Sequence, residues 1–206
     1  GRSTHDARIL SLRLPRIVLG FAAGGALALA GAGFLTLLRN ALATPYTLGV
    51  SFAGALGAFL VLSIASLDFA VGPLSTVSLG AFVFAAAEVL ALDALARHRR
   101  RFDPQEILLV GVTLNFFCGA AILLLRFLTD PLRLRAMDHW MMGGLQVGSW
   151  SDLAPVPVFL LPAVVLILGR STALDQLAFG EELAATRGVD VLASQRIILL
   201  AGSLAT

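Results

Sequence analysis

The sequence predicts an all-α bundle of helices that threads a lipid bilayer, on three observations. Of 206 residues, 58% are hydrophobic and 14% charged. The mean hydropathy is +0.89. The apolar residues also form runs of 17 to 22 positions, each with two charges at most. A soluble domain is about 45–50% apolar and about 25% charged, so a water-facing surface could not be built from this composition. The same numbers exclude a disordered chain. The lone Cys118 excludes an intramolecular disulfide. Arginine supplies all 15 basic residues and the net charge is +2. These arginines are scattered or in one cluster, without the interleaved aromatic surface of a nucleic-acid binder.

A hydrocarbon core about 30 Å thick takes about 20 helical residues to cross. Ile17–Leu38 is the first such run and carries no charge. Ser51–Leu67 is the second, at the short end of the range. Val77–Ala96 is the third and contains Glu88 and Asp93. Ile107–Leu128 is interrupted only by Arg126, and Leu153–Gly169 contains Pro155, Pro157 and Pro162. Ile197–Thr206 opens a sixth run. The runs lack the two-residue alternation of a membrane barrel. Helices also satisfy their own backbone groups in hydrocarbon. Residues 1–206 therefore read as one transmembrane domain, with a polar connection over 171–192. Gly20 and Gly24, then Gly31 and Gly33, then Gly54, Gly57 and Ala58 recur at intervals that let helices approach closely.

Numbering the connections alternately gathers Arg39, Arg97, Arg99, Arg100, Arg101, Arg170, Arg187 and Arg196 on one side. The positive-inside rule makes that side cytoplasmic and leaves Arg126, Arg133 and Arg135 outside. Arg2, Arg8, Arg13 and Arg16 then face outward against the rule, which a preceding helix would resolve. With the start at Gly1 and the close inside an apolar run, a piece of a longer membrane protein is expected.

Gly111, Asn115 and Gly119 lie at i, i+4 and i+8, on one face of the fourth run. Asn in hydrocarbon is expensive unless it finds a partner or water. That face is either a wall of a path through the membrane or a point where Asn115 ties two helices. Glu88 could relay protons or hold an ion, although a carboxylate near the interface more often reaches a cation such as Arg97 to Arg101. His5, His98 and His139 lack the spacing of a metal or haem site. No Walker A, G-x-S-x-G or H-E-x-x-H occurs. No catalytic residues and no metal ligands are assigned, and energy for any transport must come from elsewhere. Ser171–Val191 has helix-forming composition with recurrent Leu and Ala, and Gly180 and Gly188 break it into two short amphipathic helices. Such a cytoplasmic hairpin suits docking a partner by helix-in-groove contact. It has too few basic residues to rest on a membrane surface.

Five segments, in order, resemble the FecCD-type permease family, the membrane subunits of ABC importers for iron–siderophores, haem and cobalamin. They are "LRLPRIVLGFAAGGALALAGAGFLTLLRN" (Leu12–Asn40), "RNALATPYTLGVSFAGALGAF" (Arg39–Phe59) and "LLVGVTLNFFCGA" (Leu108–Ala120), then "WMMGGLQVGSW" (Trp140–Trp150) and "LDQLAFGEELAATRGVDV" (Leu174–Val191). The chain departs from the family pattern at Ala41, where Pro is usual, and at Arg187, where Leu is usual.

The resemblance implies a type II importer-like permease of which this chain holds helices two to six and the start of seven. It implies a second permease subunit, two ATP-binding subunits that bind the ATP, and an external substrate-binding protein. It implies no cofactor bound by this chain, and no nucleic acid. It places the protein in the bacterial inner (plasma) membrane. Ferric siderophore is the first cargo implied, with haem and cobalamin next. By the same resemblance Gly180, Glu181, Glu182, Ala184 and Gly188 couple to the ATPase, while Arg13 and Arg16 dock the binding protein. Asp103, Pro104 and Gln105 lie in the region of the cytoplasmic gate, and Gly111, Asn115 and Gly119 line the path. The alternative is a secondary transporter or channel working without an ATPase.

Overall fold

The computed structural model describes residues 2–40, 42–64, 70–71, 74–98, 103–145, 147 and 149–206. Nine α-helices are found among them. They are α1 (Arg2–Leu38), α2 (Val50–Ser63), α3 (Thr76–His98), α4 (Pro104–Leu128), α5 (Pro131–Met142), α6 (Pro155–Leu168), α7 (Ser171–Ala178), α8 (Glu181–Thr186) and α9 (Val191–Leu204). A 3-10 turn, Trp150–Leu153, leads into α6. The fold is all-α apart from a ladder of two-residue strands, β1 (Ala70–Val71) and β2 (Leu74–Ser75). They pair antiparallel as Ala70↔Ser75 and Val71↔Leu74.

Among the described residues four segments are long and apolar enough to cross a membrane: Arg13–Leu38, Thr76–Leu95, Pro104–Leu128 and Trp150–Leu168. The second apolar run is shorter than the sequence suggests. α2 stops at Ser63, where Ile64 turns to extended backbone. α1 starts before its apolar run and carries Pro15 inside it. α5 was not foreseen. Asp130 caps it by accepting from the Leu132 N–H at 3.0 Å, and Pro131 occupies its first turn. Asp103 and Pro104 start α4 in the same way. Proline suits that position because the first-turn N–H has no partner within the helix anyway.

Close backbone approach decides which helices pair. A β-carbon on Gly57 of α2 would strike the Gly80 carbonyl of α3, and Gly54 faces the Ala81 carbonyl at 3.6 Å. A β-carbon on Gly111 of α4 would stand 2.7 Å from the Leu48 carbonyl, just ahead of α2. On α1, a β-carbon on Gly33 would stand 3.2 Å from Ile198 of α9, and one on Gly202 of α9 would stand 2.8 Å from the Phe34 ring. The small-residue row of α1 is therefore used only in part. A β-carbon on Gly20 would stand 3.3 Å from Leu145, whereas one on Gly24 or Gly31 would have nothing within 4 Å.

Two apolar clusters hold the bundle. One joins Phe34, Leu37 and Leu38 to Leu92, Ile107 and Ile198. The other joins Ala58, Phe59 and Val77 to Cys118, Ile122 and Met137. α5 lies across the second end, where Arg126 of α4 pairs with Asp138 at 2.5 Å and Arg133 donates to the Ser63 carbonyl. The α1–α2 connection closes the first end. Asn40 Oδ1 accepts from the Leu42 N–H at 2.9 Å, and Thr44 and Thr47 each accept the other's backbone N–H at 3.1 and 2.8 Å. Ala41, one of the two family departures, lies outside the described residues.

Candidate functional site

Residues 171–192 fold as the glycines dictate. α7 ends at Ala178, and Gly180 takes φ 127°, a value that disfavours any side chain. Its N–H donates to Leu177 O at 3.1 Å while its carbonyl accepts from Ala184 at 3.0 Å, so one residue both stops α7 and starts α8. At the far end Gly188 takes φ 82°. There the Val189 N–H donates to Ala184 O at 3.1 Å and the Gly188 N–H to Ala185 O at 3.0 Å, the paired bonds of a Schellman stop. Asp190 then caps α9 by accepting from the Ala193 N–H at 3.0 Å. Glu181 and Glu182 sit in the first turn of α8, where its dipole favours negative charge.

This hairpin has two unlike sides. Leu177 and Ala184 are buried in the same cluster as Leu37, Leu38, Ile107 and Ile198, so the hairpin is built into the bundle rather than hung from it. The other side turns Phe179 (74% exposed), Leu183 (40% exposed) and Glu182 to solvent. Arg187, the second family departure, is exposed beside them. Arg39, at the end of α1, comes near the same face, with Nη1 3.9 Å from the side-chain position of Gly180.

Polar bonds tie the hairpin further in. Gln195 Nε2 on α9 donates to Glu181 Oε1 at 2.9 Å. The next residue, Arg196, grips Asp93 of α3 from two nitrogens, Nε to Oδ1 at 2.6 Å and Nη2 to Oδ2 at 3.3 Å. Asp93 is 1% exposed. Nothing in the sequence hints at this pair beyond a carboxylate in an apolar run, which must find a cation. The expectation that Glu88 would reach a cation is corrected. Both its carboxylate oxygens are buried without a hydrogen-bond partner, at the junction of α3 with Gly49 and Gly111. The side chain of Arg97 and the whole of Arg99 to Arg101 lie outside the described residues.

The other candidate residues are dispersed. Arg13 and Arg16 are exposed on α1, and Arg16 is about 33 Å of helix from Leu38. That puts them at the end away from the hairpin, on the same end as Leu145. Asp103 Oδ1 accepts from the N–H groups of Gln105 and Glu106 at 3.0 and 3.4 Å, with Pro104 between, so this trio forms the start of α4. Gly111 faces Leu48 just ahead of α2 and Gly119 faces α2, where a β-carbon on it would stand 3.3 Å from the Phe52 ring. Asn115 lies between them, with Oδ1 buried and unpartnered. This face is closed against α2 and does not line the cavity of about 920 Å³ found elsewhere in the bundle. That cavity is lined by α1, α2, α3, α5, α6 and α9 with side chains such as Ala23, Ala55, Phe82, Val89, Phe159 and Leu200. So apolar a wall suits hydrocarbon.

Comparison with known proteins places these features in context. The family model of the FecCD transport family matches residues 1–206. The uncharacterized ABC transporter permease protein YvrB of Bacillus subtilis is 37% identical, over 96% of this chain and 56% of its own length. The hemin transport system permease protein HmuU of Yersinia pestis is 34% identical, over 98% of this chain and 61% of its own. The vitamin B12 import system permease protein BtuC of Vibrio vulnificus is 37% identical, over 95% and 58%. A solved chain described as an inward-facing conformation of a metal-chelate type ABC transporter superposes with a TM-score of 0.82 at 27% identity, covering 98% of this chain and 64% of that one. This chain therefore spans less than two thirds of the length of the proteins it matches.

Proposed function

The chain belongs to the FecCD transport family, and from that premise we propose that it forms part of the permease subunit of an ATP-binding-cassette importer for a metal chelate. It is an integral protein of the inner (plasma) membrane. The family is one of transport permeases rather than of enzymes, and in this reading ATP is bound and hydrolysed by two partner subunits. A second permease subunit completes the translocation unit, and a substrate-binding protein delivers cargo from outside.

The observation that carries this reading is the two-sided hairpin. An outer face of Phe179, Leu183 and Glu182 offers an apolar knob with a charge beside it, of the kind that fits a groove. The inner face, Leu177 and Ala184, is continuous with the bundle core. Force applied to the knob by a closing ATPase therefore reaches α1, α4 and α9 without a flexible joint, and the helices rock to open the path alternately to each side. Arg13 and Arg16 at the opposite end meet carboxylates of the binding protein, speeding encounter more than tightening it. The start of α4 at Asp103, Pro104 and Gln105 stands at the inner gate. In this reading the Gly111–Asn115–Gly119 face is exposed to cargo when α4 parts from α2.

Relatives named for hemin and for vitamin B12 support a large metal-centred cargo. Ferric siderophore is a third member of that chemical class and is our first choice. The test is uptake by vesicles holding the full-length permease with its ATPase. Labelled ferric siderophore, haemin and cyanocobalamin are each offered with a cognate binding protein. ATP-dependent accumulation of one of them is expected, together with loss of ATPase co-purification in Phe179→Asp. Accumulation that proceeds without any ATPase would overturn the reading in favour of a secondary transporter.

A further inference from the structure

By their contacts the helices form two sets. α2 packs on α3, α4 and α5, while α9 packs on α1, α6 and α7. The cavity lies between these sets, with α2, α3 and α5 on one wall and α1, α6 and α9 on the other. At the hairpin end the sets share the apolar cluster of Leu38, Leu92, Ile107, Leu177 and Ile198, and there, where α3 crosses α9, Arg196 also holds Asp93 by two bonds. The residue before it, Gln195, is 2% exposed and holds Glu181 of the hairpin. Within one turn of α9, then, one side chain grips the hairpin and its neighbour grips the other helix set.

We propose that the Asp93–Arg196 pair is the directional polar link that, beside the shared apolar core, passes displacement of the hairpin from the α9 set to the α3 set. Glu181 and Gln195 carry movement from α8 to α9, and Arg196 and Asp93 carry it on to α3. α2 follows α3, because the Gly57–Gly80 approach leaves no room for the two to slide past each other. Apolar contacts between helices can shear by small steps. A two-point guanidinium–carboxylate bond with its acid nine-tenths buried is fixed in direction and length. Asp93 and Arg196 act as positioning residues, since neither touches cargo or nucleotide. The proposal rests on the importer reading above.

The test uses the full-length permease assembled with its ATPase subunits, with Cys118→Ser and spin labels on Ala87 of α3 and Val158 of α6, both exposed. Wild-type protein is expected to change the label separation between nucleotide-free and ATP-bound states. Asp93→Asn is expected to lose most of that change while ATP hydrolysis stays within about twofold. Arg196→Lys, which keeps the charge but loses the two-point grip, is expected to give an intermediate change. The exchanged pair Asp93→Arg with Arg196→Asp is expected to restore it. A full ATP-driven change in Asp93→Asn overturns the proposal, as does failure of the exchanged pair to restore movement in protein that elutes as an intact complex. A wild type whose labels never respond to ATP overturns the importer reading itself, a pattern unlike either of these.

Discussion

A β-carbon on Gly57 of α2 would collide with the backbone carbonyl of Gly80 on α3, and one on Gly80 would meet Val61 Cγ2 at 2.7 Å and the Gly57 carbonyl at 2.9 Å. Backbone cannot give way as a side-chain tip can. Gly57→Ala and Gly80→Ala are each expected to destabilise the bundle by about 1–3 kcal/mol, the usual cost of overpacking. Gly25→Ala is the control, because nothing lies within 4 Å of its side-chain position. Thermal unfolding in detergent, followed by fluorescence, checks all three. An unchanged midpoint in Gly57→Ala would mean that α2 and α3 sit further apart than described.

Gly188→Ala tests the hairpin's outer stop. At φ 82° an added methyl group costs about 1–2 kcal/mol. That penalty is borne locally, in the bonds from Gly188 to Ala185 and from Val189 to Ala184. Amide hydrogen exchange at these two positions is expected to accelerate about tenfold, with exchange in α3 and α4 unaltered. Equal acceleration throughout the chain would show that the hairpin unfolds only with the whole.

Glu88→Gln is expected to raise the unfolding midpoint of the purified protein. The carboxylate has no hydrogen-bond partner to lose, and a neutral amide of the same shape is less costly to keep from water. Gly49→Ala should act in the opposite direction, because the new methyl group would occupy the space now held by Glu88 Oε1. A marked fall in stability in Glu88→Gln would reveal a partner for the acid that the geometry does not show.

The apolar runs made the membrane helices legible, since a long uncharged stretch admits few other readings. Helix ends were less so. Ser51–Leu67 contains nothing that marks Ser63 as the last helical residue. α5 escaped because its Leu, Met and Trp are mixed with Arg133, Arg135 and Asp138, although Asp130 followed by Pro131 was a start signal as clear as Asp103 followed by Pro104. The hairpin was legible in detail because Gly180 and Gly188 each stop a helix by a local rule. Charge pairing was not. Glu88 and Asp93 are about 140° apart around α3, and only Asp93 faces α9, where Arg196 lies 103 residues later in sequence. The face of Gly111, Asn115 and Gly119 was identified correctly as one face, but its neighbour could not be read. The Leu48 carbonyl and the Phe52 ring that meet it belong to a segment some sixty residues earlier.

α2 rises only about 21 Å. Its middle, from Ala53 to Phe59, is buried within the bundle, so most of the helix is shielded from acyl chains by its neighbours. Stretching or thinning the bilayer would therefore load the longer outer helices, α1 and α4 foremost, and leave α2 unstrained. Lipids of different chain length become a tool for tilting the shell of this protein while its centre keeps its register.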